Sequence, residues 1–190
     1  AETLETLARV GWGKFLLLLG LSLVNYLARG LRWRIYTQAL RIPTSVAQDF
    51  RHYLGGFALT ITPGRIGELI RLRWINLETG APLERAAPLV LVDRAADLVS
   101  VALLLALSVA LSAGGLAGAV PVVIVAIAVG VIATQPRLLV WSITLGWKTL
   151  GRLPKLFGGL RRAARQLHVF SSAKIILPAL ILGGLGWFAE

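Results

Sequence analysis

The chain has 190 residues, of which 56% are hydrophobic and only 15% charged, yet 20 Lys and Arg against 9 Asp and Glu leave it at +11. A soluble domain carries about 25% charged residues to cover its surface, so part of this surface faces something other than water. The same composition excludes a disordered chain, and the absence of Cys excludes a disulfide scaffold or a Cys-ligated metal. Met is absent too, even at position 1, and Glu190 follows directly on an apolar run, so the sequence reads as a piece of something longer, with no cleavable signal in the polar stretch 1–10.

A spanning helix needs roughly 20 mostly apolar residues. The first candidate covers about residues 12–31, with Trp12 and Lys14 at one end and Arg29, Arg32, Trp33 and Arg34 at the other, an aromatic and basic anchor at each interface. Residues 50–77 behave differently. Phe50 to Ile61 is apolar but short, Pro63-Gly64 breaks it, and Ile66 to Leu77 is helical in pattern but carries Glu68, Arg71 and Arg73. Neither half spans alone. Two short helices, 50–61 and 66–77, meeting at a Pro-Gly break read as a re-entrant hairpin, which is tolerated at membrane depth where protein or a water-filled cavity surrounds it. An amphipathic pair lying flat at the interface is the alternative.

Further on, residues 86–113 form a span with Asp93, Arg94 and Asp97 in its first half. Leu98 to Pro136 carries no charge, which fits the end of that helix, a turn at Gly114-Gly115 and a second span over 116–133, a helical hairpin. Residues 137–174 are basic, and Arg152, Lys155, Arg161, Arg162 and Arg165 fit either a solvated loop or a segment resting on anionic headgroups. A last span covers about 172–189. The expected fold is therefore all-α, a polytopic membrane helix bundle forming a single transmembrane domain. The positive-inside rule places the basic stretches 29–51 and 137–174 in the cytoplasm and the uncharged turn at 114–118 outside. That accounts for the +11 charge without nucleic acid. Six Trp fit interface belts, with Trp12 and Trp187 outside and Trp33, Trp74, Trp141 and Trp147 inside, while His52 and His168 stand apart from each other and from any carboxylate cluster, so no metal site is expected.

Charge inside the embedded region is what topology leaves over. Each such residue at a helix centre costs about 2.5 to 3.5 kcal/mol on insertion scales. The set is Arg65, Glu68 and Arg71 after the Pro-Gly break and Asp93, Arg94 and Asp97 in the next helix. Spacings of three and four put each group on one helix face, so Arg71 can pair with Asp93 or Asp97, and Arg94 with Glu68. Pro63 opens a helix whose free N–H groups, with Arg65 and Arg71, suit phosphate or carboxylate, and Gly64 and Gly67 leave room for a headgroup. The other reading is that these charges only neutralise each other and lock helices together.

The string Thr62-Pro63-Gly64-Arg65-Ile66-Gly67-Glu68-Leu69-Ile70-Arg71, followed by Val92-Asp93-Arg94-Ala95-Ala96-Asp97, resembles the lysylphosphatidylglycerol synthase transmembrane-region family. Its pattern is Pro-Gly-x-x-Gly-Glu-x-x-Arg and then Glu-Arg-x-x-Asp. Asn25, Arg32, Trp33, Gly55 and Gly56 are similar to its earlier motifs, whereas Asp93 stands where Glu is usual and Thr60 where Asn is common. The resemblance implies a multi-pass inner-membrane protein that moves a lipid between leaflets, without the aminoacyl-transferase domain that makes the lipid.

Three functions follow as expectations. The first is binding and translocation of an anionic phospholipid or polyprenyl phosphate, with Pro63, Gly64, Arg65, Gly67 and Arg71 at the headgroup and Glu68, Asp93, Arg94 and Asp97 as a polar pathway or helix lock; it calls for no cofactor. The second is a scaffold of a membrane glycosyltransferase system or a homo-oligomer, with Gly183, Gly184 and Gly186 against a partner helix. The third is an intramembrane lipid-phosphate enzyme using a divalent cation on Asp93 and Asp97; Arg94, Arg65 and Arg71 oppose the cation, and no Ser-His or Cys-His pair offers a covalent route.

Overall fold

The computed structural model describes residues 11–59, 66–112, 115–134 and 167–190, with residues 137, 141 and 144, and the described residues contain helices and no strand. In chain order these are α1 (Trp12–Ala39), α2 (Val46–Ala58), α3 (Ile66–Thr79), α4 (Leu83–Leu111), α5 (Gly115–Thr134), a 3-10 turn (Leu167–Ser171) and α6 (Ala173–Phe188). The all-α bundle is the fold the composition predicts. The Pro63-Gly64 break, with Arg65, and most of the basic segment 137–174, with its five named Lys and Arg and Trp147, lie outside the described residues.

Two helices, α1 and α4, are long and apolar enough to cross a membrane. At 1.5 Å per residue, the 28 residues of α1 run about 42 Å and the 29 of α4 about 43 Å, against about 30 Å of hydrocarbon. Their outward faces are apolar: Leu16 to Leu19, Leu23, Leu98, Leu105 and Leu107 are all exposed. Exposed leucine on this scale fits a lipid-facing surface.

Local chemistry sets where the helices stop. The Arg41 N–H donates to the Gln38 carbonyl and the Ile42 N–H to the Thr37 carbonyl, so α1 ends in a Schellman turn with Arg41 at φ 52°. Pro43 prevents continuation. Ser45 and Gln48 then form a reciprocal capping box that opens α2. Gly80, at φ 69°, ends α3, its N–H donating to the Asn76 carbonyl.

Packing is antiparallel between successive partners. On α1 and α2, Gly30 lies against the Phe50 ring, Trp33 against Tyr53 and Tyr26 against Phe57. Between α2 and α3, Gly55 meets Trp74 and Gly56 meets Arg71. α5 folds back along α4, with Gly118 beside Val109. α6 returns along α1 and also touches α4. Trp33, Tyr36, Tyr53, Ile75, Leu89, Leu167 and Phe170 form the centre of the core. Trp33 is fully buried, so its expected place in an interface belt gives way to packing: on the helix side that faces Tyr53 and Arg71, an indole is a core residue.

Candidate functional site

Arg32 lies on the inner face of α1, fully buried. Its Nε donates to Asp93 Oδ1 at 3.0 Å, and its Nη2 to Asp93 Oδ1 at 2.6 Å and Asp97 Oδ1 at 2.7 Å. One turn earlier, Arg29 donates to Asn25 at 2.6 Å and to Glu190 at 2.7 Å, lies 3.8 Å from Asp97 and stacks over the Trp187 ring at 4.7 Å. The Trp187 indole donates to Asp97 at 3.3 Å. Asp93 and Asp97, four apart on α4, thus present their carboxylates together to α1 and α6.

The approach of α6 depends on glycine. A Cβ on Gly183 would collide with Ser100 Oγ and sit 2.8 Å from Arg32 Nη1, while Gly186 faces Arg29 and Asn25 at contact distance. Gly184 points into open space. Gly183 and Gly186 therefore serve this chain's own α1 and α4, where the sequence suggested a partner helix.

On the other side of α4, Arg94 comes within 3.4 Å of Glu68, 3.5 Å of Asp93 and 3.3 Å of Asp97, with about a third of its side chain exposed. The expected Arg94–Glu68 pair is present. Arg71 is different. It is 2% exposed, its guanidinium lies 4.3 Å from the Tyr53 ring centre and 5.5 Å from that of Trp33, and its Nε has no hydrogen-bond partner. Among the described residues it makes no ion pair. The expected pairing with Asp93 or Asp97 is not formed, because Arg32 already holds the Oδ1 atoms of both acids. Gly56 gives Arg71 its place, since a Cβ there would overlap the guanidinium stem, and Gly67 packs against the Gly56 carbonyl oxygen, where a Cβ would collide.

Four arginines and four carboxylates, Arg29, Arg32, Arg71 and Arg94 with Glu68, Asp93, Asp97 and Glu190, thus gather around α4. Of the residues singled out in the sequence, Asn25, Arg32, Trp33, Gly55, Gly56, Gly67, Glu68, Arg71, Asp93, Arg94 and Asp97 fall in or beside this cluster, whereas Pro63, Gly64 and Arg65 lie outside the described residues. Arg29, Tyr53, Ser100, Trp187 and Glu190 were not anticipated as members. The spacing of Asn25, Arg29 and Arg32 on one face of α1 is the signal that would have found the arginine.

The model of one family, described as lysylphosphatidylglycerol synthase TM region, matches residues 1–190. The chain belongs to the lysylphosphatidylglycerol synthase transmembrane-region family. It is an integral membrane protein of that family. No match was found among curated proteins or among solved structures.

A second polar cluster of this family member joins α2 to α3. Glu78 accepts from Arg51 at 2.6 Å and Gln48 at 3.0 Å and contacts His52 Nε2 at 3.0 Å. The expectation that His52 stands clear of carboxylates is corrected here: α2 and α3 run antiparallel and bring Glu78, 26 residues away, onto the imidazole. Burial pushes the Glu78 carboxyl up, but His52, Arg51 and Gln48 together outweigh it and hold the group below its ordinary value. Asp49, also on α2, accepts from Arg34 at 2.8 Å and Thr37 at 3.0 Å, tying α2 back to α1.

Proposed function

We propose that this chain binds an anionic or phosphate-bearing lipid and carries its headgroup between leaflets. The supporting observation is Arg71, a buried cation held on two aromatic faces and in no ion pair among the described residues. A buried cation outside any ion pair is costly, its Nε has no hydrogen-bond partner, and a guanidinium is the group that takes a phosphate in a fork. Arg94, partly exposed and next to Glu68, gives the headgroup a second cation at the edge of the same cluster. Pro63, Gly64 and Arg65, which directly precede α3 in the sequence, would extend the same chemistry. Asp93 and Asp97 take the helix-locking role, since both are engaged by Arg32; a divalent cation between them would have to displace that guanidinium, which disfavours the enzyme reading.

The test is flipping of a fluorescent phospholipid by the protein in liposomes. A hydrogen bond to a charged group contributes about 1.5 to 3 kcal/mol, so Arg71→Gln should slow flipping about tenfold or more. Arg71→Lys should rescue poorly, because an ammonium cannot reproduce the fork. Flipping unchanged in Arg71→Gln and Glu68→Gln would remove this cluster from the pathway. A glycosyltransferase that co-purifies with a lipid-free preparation would favour the scaffold reading.

A further inference from the structure

On the face of α4 next to the charged one lies a cavity of about 210 Å³ between α4, α5, α6 and the 3-10 turn, and its walls include Val92, Ala96, Ala126, Ala179, Tyr36 and Phe170. We infer that this cavity holds one acyl chain of a bilayer phospholipid. Its lining is aliphatic and aromatic, with the Tyr36 hydroxyl as the one side-chain polar group among the described lining residues, so water entering it would find too few partners. A dry cavity of about 150 Å³ already accepts benzene, so this volume accepts a length of hydrocarbon. Three alanines, Ala96, Ala126 and Ala179, make the space, where larger side chains would close the helices on one another.

The mouth identifies the occupant. Ile127 belongs to the lining and is 57% exposed, and its neighbours Ile124 and Val125 are exposed as well. The cavity is thus continuous with the apolar outer face of α5, which in an integral membrane protein meets lipid tails. A tail gains nothing from the hydrophobic effect by moving from bilayer to cavity. It restores the dispersion contacts that an unfilled cavity forfeits on every wall. The inference does not rest on the headgroup reading: Val92, Ala96 and Val99 face the cavity, whereas Asp93, Asp97 and Ser100 face α1 and α6.

The experiment is photolabelling of the full chain in nanodiscs of phosphatidylcholine carrying a diazirine midway along one acyl chain, with labelled residues located by peptide mass spectrometry. Ala126, Ile176 and Ala179 should carry more label than the exposed reference surface Leu16 to Leu19 on α1. Ala96→Phe and Ala126→Phe should remove that excess and leave the α1 label unchanged, with Ala179→Val as a milder variant should either fail to fold. Wall label no higher than the α1 reference, or an excess that persists in the filled variants, would overturn the inference. Arg71→Gln should keep the wall label, so a loss of flipping in that variant and a loss of label in the filled variants are separate results.

Discussion

Arg32 and Arg71 are almost equally buried, and their surroundings differ in kind. Arg32 is satisfied on two acids, and removing one partner of a buried pair leaves an uncompensated charge. Asp97→Ala should therefore destabilise by about 3 to 5 kcal/mol, read as a lowered melting temperature in detergent micelles. Arg71→Gln removes a cation that costs energy to bury and that makes no ion pair among the described residues, and it forfeits cation–π contacts of about 0.5 to 2 kcal/mol. Its effect on stability should be clearly smaller than that of Asp97→Ala, while its effect on lipid flipping is larger. Glu68, Arg71, Asp93, Arg94 and Asp97 were legible in the sequence because charge is out of place in an apolar helix, and so was the pairing of Arg94 with Glu68. The partner of Asp93 and Asp97 on α1 was not. Arg32 stands beside Arg34 at the end of a span, where basic residues usually mark an interface, and its separation of 61 positions from Asp93 leaves no local trace of their contact.

At the scale of elements, close approach and polar clips decide how helices pair. Gly183 leaves no space for a methyl group, so Gly183→Ala should cost about 1 to 3 kcal/mol by overpacking. Gly184→Ala should be near neutral, and thermal melts of the two variants make the comparison. Between α2 and α3 the clip is Glu78. Its carboxyl titrates below its ordinary 4.5 in the folded chain, so the stabilisation is complete above that value and disappears as pH falls through the lower folded one. The melting temperature should drop on acidification below about 4.5 and Glu78→Gln should flatten that part of the curve. The existence of α2 and α3 was legible from a short apolar run before Pro63-Gly64 and a helical run with charges after it, although α2 starts at Val46, four residues before the expected Phe50. The clip was not, since nothing local links Gln48, Arg51 and His52 to an acid on the next helix.

Across the whole molecule, the four arginines and four acids around α4 cancel, so the net +11 resides elsewhere in the chain. The bundle also fixes which loops share an end: the Arg51–Glu78 contact holds the start of α2 beside the end of α3, and α4 leads from there to Ser112 about 43 Å away. With no native Cys in the chain, single-cysteine labelling reports this directly. Val46→Cys and Leu83→Cys should react with an impermeant maleimide from one face of the membrane and Ser112→Cys from the opposite face. Among the described residues, α1 and α4 were legible from the length of their apolar runs, because bilayer thickness imposes that length. The order of packing, α6 upon α1 and α4, rests on Gly183 and Gly186, whose smallness reads the same in sequence whichever helix they meet.

The distance in sequence between Arg32 and its acids has a consequence for synthesis. α1 leaves the ribosome with two arginines, Arg29 and Arg32, whose counter-charges, Asp93 and Asp97 on α4 and Glu190 after α6, are not yet made. At about 5 to 20 residues per second, the 61 residues from Arg32 to Asp93 take roughly 3 to 12 s. Throughout that interval the arginines must reach for the headgroup layer with their long side chains. The Arg32 pairs with Asp93 and Asp97 can form only once α4 is made, so the contact that joins α1 to α4 comes late in synthesis.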